Sequence, residues 1–92
     1  MASIRGKSLK ALLRDVADGY AAVNPLFLKP FDNETLKDFY NEISKVLIEV
    51  RSEKFPSNDI TAIRSRNVRL QRLYSATMVI RNYARERRIP LS

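Results

Sequence analysis

The sequence has no cysteine and no histidine, and among its 92 residues only two are glycine and four are proline. Without cysteine there is neither a disulfide nor a thiol nucleophile. Without histidine as well, the usual zinc ligands and the one side chain that exchanges protons near neutral pH are both gone. Chemistry is left to carboxylates, amines, hydroxyls and phenols. Gly6 and Gly19 are isolated, so there is no glycine-rich loop to cradle a phosphate. No apolar run approaches the roughly 18 to 20 residues that cross a bilayer. The N-terminal stretch MASIRGKSLKALLRDV is broken by Lys10, Arg14 and Asp15 before a signal-peptide core develops, and Asp15 and Asp18 count against a transit peptide. These absences point to a soluble intracellular protein, cytoplasmic or beside the chromosome in a nucleoid or nucleus. They leave no expected membrane contact, cofactor, metal or small-molecule substrate.

Hydrophobic residues make up 45% and charged residues 29% of the chain, the balance of a globular protein rather than a disordered one. Ninety-two residues form one small domain with a modest core, too small for a large enclosed active site. With few glycines and prolines and no alternating β-branched run, the expectation is all-α: a single three-helix domain over residues 1–92, with a long basic C-terminal helix and helices at about 8–23, 33–54 and 59–86.

Each helix has its signal. Gly6 interrupts a loose start over residues 1–7, and Ser8 caps the first helix. Leu9, Leu12, Leu13, Val16, Tyr20 and Val23 then recur at the spacing of one helical face. Asn24-Pro25 is expected to end that helix at about Ala22, because the residue before proline is pushed out of the helical region. The connector NPLFLKPFD holds Leu26, Phe27, Leu28 and Phe31, too apolar for a free loop, so it should be pinned on the helices. Asp32 or Asn33 caps the second helix, Glu34 favours its dipole, and Leu36, Phe39, Tyr40, Ile43, Val46, Leu47 and Val50 give the cleanest period in the chain, with Phe39 and Tyr40 as core anchors. Phe55-Pro56 makes the second break and Asp59 caps the third helix.

That third helix carries the charge. Residues 60–92 contain Arg64, Arg66, Arg69, Arg72, Arg81, Arg85, Arg87 and Arg88 against a single anion, Glu86, a net of +7, while residues 1–59 hold nine cations and nine anions. A one-signed surplus attracts phosphates or acidic surfaces and raises association rates. At 100° per residue Ile63, Leu70, Leu73, Ile80 and Ala84 form one apolar band, Val68 and Val79 lie off it, and Arg66 points into it. A helix apolar on more than one side has more than one neighbour. A helix of about 25 residues is near 37 Å long, more than this domain can cover, so its far end should project or meet a partner.

The acid pairs Asp15/Asp18 and Glu49/Glu53 sit among cations on helix surfaces, without the burial or crowding that gives carboxylates useful pKa values, so no catalytic residue is expected. Arginine forks suit phosphates and base edges, and Tyr74 and Tyr83 are placed to stack on exposed bases. All eight arginines are therefore candidates for nucleic-acid contact, without the spacing of a sequence-specific module. Val68, Tyr74, Met78, Val79, Ile89 and Leu91 are candidates for a protein partner, unless the chain folds back over them.

The run LKDFYNEISKVLIEVRSE, a proline-containing break, and a long basic helix ending in IRNYARERR resemble the N-terminal helical domain of GINS subunits over about residues 32–88. The matching positions are Phe39, Tyr40, Glu42 and Ile43, then Ile80, Arg81 and the arginines after it. The resemblance implies a non-enzymatic subunit of a DNA-replication assembly that joins the replicative helicase. Such subunits usually carry a second, small β-rich domain, which these residues do not include. Alternative readings of the same residues are a stand-alone nucleic-acid binder and an accessory subunit clamped on a DNA polymerase; an RNA-binding protein ranks lower because no aromatic platform is visible.

Overall fold

The computed structural model describes residues 3–4, 7–54 and 58–91. The fold is all-α, with helices α1 (Leu9–Asp18), α2 (Pro25–Leu28), α3 (Asn33–Arg51) and α4 (Ile60–Glu86). Ahead of α1, where the sequence suggested a loose start, Ser3–Ile4 (β1) pairs antiparallel with Lys7–Ser8 (β2), Ser3 opposite Ser8. The expected breaks at Gly6 and Phe55-Pro56 lie outside the described residues.

Each helix begins where a short polar side chain can satisfy a free backbone N–H. Ser8 Oγ accepts from Ala11 N at 3.2 Å, Asp32 Oδ1 from Thr35 N at 2.7 Å, and Asp59 Oδ1 from Ala62 N at 3.0 Å, the bond that favours these residues at N-caps. The first helix ends earlier than its period suggested. Gly19, with φ of 87°, takes the left-handed conformation, and its N–H returns to the carbonyls of Asp15 and Val16, a C-terminal geometry that glycine adopts without steric cost. Tyr20 is consequently no core residue; it is 84% exposed. Asn24-Pro25 starts a helix instead of only stopping one: Asn24 Oδ1 accepts from Phe27 N at 2.8 Å and Pro25 takes the first helical position, where its missing N–H costs nothing. The four-residue α2 pins the connector as expected, burying Phe27 and Leu28 while Leu26 points out. The second long helix stops at Arg51 rather than near residue 54.

The three long helices touch one another pairwise. Arg81 meets Tyr40 and Arg69 meets Glu53, so α3 and α4 run antiparallel. One continuous core joins Leu9, Leu12, Leu13 and Val16 of α1, the apolar face of α3 and the second half of α4. Phe27, Phe31 and Phe39 close one end, with ring centroids 5.1 to 6.1 Å apart, inside the range where tilted aromatic pairs attract. At 1.5 Å per residue α4 is about 40 Å long, nearly the full 45 Å of the molecule's long axis.

Candidate functional site

The buried residues of α4 are Leu73, Ala76, Ile80, Tyr83 and Ala84; none lies in its first thirteen positions, Ile60 to Arg72. The helix is thus a rod held by its second half. Its core face is also turned from the band expected: Ala76 and Tyr83 are buried while Ile63 and Leu70 are only half-covered. Helices contact α4 on two sides, α1 near Arg72 and α3 near Arg81, and this draws the buried arc toward the line between them.

The eight arginines do not act as one set. Arg69 makes a two-pronged bond to Glu53, Nη1 to Oε2 at 2.9 Å and Nη2 to Oε1 at 2.8 Å, joining α4 to the end of α3. Hydrogen bonding to Glu53, reinforced by the field of Glu53 and Asp18, raises its pKa above the ordinary arginine value, so it is a permanent cation committed to structure. Arg72 donates from Nη1 to the Ala17 carbonyl at 3.0 Å, in effect capping α1 from outside. Arg66 is half-buried and engaged within the fold. Arg81 donates from Nε to the Tyr40 hydroxyl at 2.8 Å and lies 5.7 Å from the centre of that ring. Arg87 covers the Tyr83 ring at 3.9 Å, within cation–π range. Arg64, Arg85 and Arg88 are exposed, and their side chains take no hydrogen bond or ion pair among the described residues.

What remains for an outside anion is the C-terminal end of the rod. Arg81 and Arg85 are one turn apart and Arg88 follows in the next turn; all three are exposed, and the terminal amines of Arg81 take no bond among the described residues. These guanidinium groups outnumber the one carboxylate beside them, Glu86, and such a surplus raises the local potential for phosphate or carboxylate. Tyr83 does not offer itself to a base: it is buried, and Arg87 occupies its face. Tyr74 is 46% exposed and free to stack or pack.

The six candidate partner residues also divide. Ile89 and Leu91, like Val79, are partly buried and pack against the core, so the chain covers part of its own apolar surface. Val68, Tyr74 and Met78 stay open, with Met78 at 63% exposure. Val68 and Val79 line a groove of about 500 Å³ between α4 and the 19–23 segment, with Arg72 also in its lining. The link from Tyr40 to Arg81 and the seating of Arg72 against Gly19 had no signal in the periodicity, since both depend on which residue of a distant helix lies at the same level.

The acid pairs behave as a charged surface. Glu49 is met by Lys10 at 3.1 Å and Glu53 by Arg69. Among the described residues there is no group of three metal-ligating side chains and no helix long and apolar enough to cross a membrane. The chain matches no protein-family model, no curated protein and no solved structure. The likeness to the GINS helical domain therefore stands on the residues quoted above.

Proposed function

We propose that this protein is a non-enzymatic adaptor: a basic helical subunit of a DNA-replication assembly that holds a protein partner on α4 and touches DNA through the arginines at the end of that helix. The carrying observation is the half-covered rod, 27 residues long with no fully buried residue before Leu73. A small protein that built such a helix for itself alone would bury more of its first half; this one leaves Ile60, Arg64 and Val68 exposed there. Arg81, Arg85 and Arg88 supply the phosphate contact, with Arg64 at the other end of the rod. Arg69, Arg72 and Arg87 serve the fold, which narrows the basic surface from eight arginines to about half.

The helical order and the residues shared with GINS subunits favour the replication reading over an accessory subunit of a DNA polymerase, which the same geometry also suits. A free-standing nucleic-acid binder would make poorer use of exposed Tyr74, Met78 and Ile60. Affinity purification from native extract, with and without nuclease, separates these readings. Recovery of a replicative helicase or polymerase that survives nuclease supports the subunit; loss of every partner on nuclease treatment leaves the simple binder.

A further inference from the structure

The outer face of α4 has a pattern of its own. Ile60, Ile63, Asn67, Leu70, Tyr74 and Met78, and then Arg81 and Arg85, follow one another at steps of three or four residues. They fall within about 80° of arc on a helix with 100° per residue. None of them is buried; Ile60 is 61% and Met78 63% exposed. The antiparallel register set by Tyr40–Arg81 and Glu53–Arg69 places Ile48 of α3, itself 62% exposed, level with Tyr74, and Ser44 level with Met78. Two adjacent helices thus present an apolar strip several turns long.

Charge decides what can cover that strip. Before Glu86, α4 carries no carboxylate at all, and Arg64, Arg81, Arg85 and Arg88 frame the strip, with Arg51 on the same reach of α3, where Lys45 is paired with Glu42 at 3.8 Å. A second copy laid antiparallel on this face would set Arg64 against Arg81 and Arg85, and like charges placed opposite one another are repulsive. From these observations we infer that the α3–α4 face binds an acidic amphipathic helix of another protein, which completes a four-helix bundle with its apolar side on Leu70, Tyr74 and Met78 and its carboxylates on Arg81 and Arg85. This rests on the adaptor reading of α4 and deepens it by naming the chemistry of its protein partner; it gives Arg81 and Arg85 to that partner and leaves Arg64 and Arg88, both exposed, for phosphate.

The probe is a labelled peptide of about 21 residues, long enough to run beside most of α4, with leucine at every third and fourth position and glutamate on both flanks. Its controls are the same peptide with lysine for glutamate, and a scrambled sequence of equal composition. Fluorescence anisotropy with the intact protein should give saturable binding of the acidic peptide. Met78→Glu should weaken it by about tenfold or more, and Tyr74→Ala should weaken it less; tenfold is the loss of one good apolar contact. Both positions are exposed, so circular dichroism should show both variants folded. The proposal is overturned if the scrambled or lysine peptide binds equally well, if the acidic peptide does not bind, or if Met78→Glu changes nothing. It is also overturned if a DNA duplex of about two turns displaces the peptide from this face, its own affinity falling with the uncharged Tyr74→Ala. Purification from native extract separates this inference from the broader one. A replicative helicase or polymerase recovered equally by wild type and Met78→Glu sinks the helix proposal alone, whereas peptide binding without any replication partner sustains it and removes the replication assignment.

Discussion

Helices α3 and α4 lie side by side and are built on opposite plans. In nineteen residues α3 buries Leu36, Phe39, Ile43, Val46, Leu47 and Val50, one face spread over its whole length. In twenty-seven residues α4 buries five, all in its second half, and two of those are alanines. Burying apolar area is the main favourable term in folding, about 25 cal/mol per Å², so α3 is sufficiently explained by the stability of this domain. The first half of α4 is not: intrinsic propensity contributes only tenths of a kcal/mol per residue, and most helical stability comes from packing. That stretch is held by its continuation, by the Arg69–Glu53 pair and by half-covered side chains such as Leu70, which packs against the core.

The largest effect should come from breaking the packed partner. Phe39 is fully buried between Phe27 and Phe31, and Phe39→Ala should cost about 3–5 kcal/mol in denaturant unfolding, enough to unfold much of the population. Tyr74→Ala on the rod should change stability by no more than about 0.5 kcal/mol. Equal losses at both sites would dissolve the contrast between the helices. Gly19→Ala comes next: its left-handed φ costs an L-residue about 1–2 kcal/mol, and a Cβ there would stand 3.0 Å from the Arg72 guanidinium. The thermal midpoint should fall, and Arg72→Ala should abolish the crowding but not the backbone strain, so the two losses should add to more than the double variant suffers.

How much of this contrast is legible in the sequence follows from which forces are local. Ser8, Asp32 and Asp59 mark helix starts because a cap needs only a side chain and a backbone N–H three residues on. The faces of α1 and α3 read directly from spacing. Gly19 carried its signal too, but Tyr20 and Val23 sat at helical intervals and extended the first helix past it; Val23 does pack on the core, from an extended segment. Asn24-Pro25 reads as a stop or as a start, and only the apolar residues after it favour α2. The core face of α4 was misplaced because Arg66, Arg69 and Ala62 occupy the inward arc of the first half. Periodicity has little to register there, and two packing helices rather than one define the arc. The division of the arginines was hidden for the same reason: Glu53, Ala17 and Tyr40 reach them across distances in sequence that no local pattern spans.

The ion pair offers a sharper probe of the first half of α4. Arg69 and Glu53 are partly covered, with 25% and 34% of their side chains exposed, and a two-pronged pair of this kind should contribute about 1 kcal/mol. Glu53→Gln should speed amide hydrogen exchange over Ile60–Arg72 more than over Leu73–Glu86. Uniform acceleration along α4 would mean that the rod is one cooperative unit, not a held half and a free half.

The smallest effect concerns how α3 begins. Hydrogen bonds from the side chain and the backbone N–H of Thr35 hold the Asp32 carboxyl below the ordinary carboxylate value. A carboxyl whose pKa is depressed by folding adds stability that is complete above its unfolded value. It is lost as pH falls through the folded value, here in the acid range below about pH 4. Thermal midpoints from neutral pH down to about pH 2.5 should therefore show Asp32→Ala below wild type at neutrality and the gap closing in acid. Asp32→Asn, which keeps an acceptor at every pH, should not follow that closing gap. Because the cap sits on α3, the melting of the whole core should follow it while exchange in the first half of α4 hardly changes. If acid instead loosened Ile60–Arg72 first, with Asp32 intact or not, the weaker half would be governed by its own carboxylate contact at Glu53 and the two helices would be uncoupled at that end.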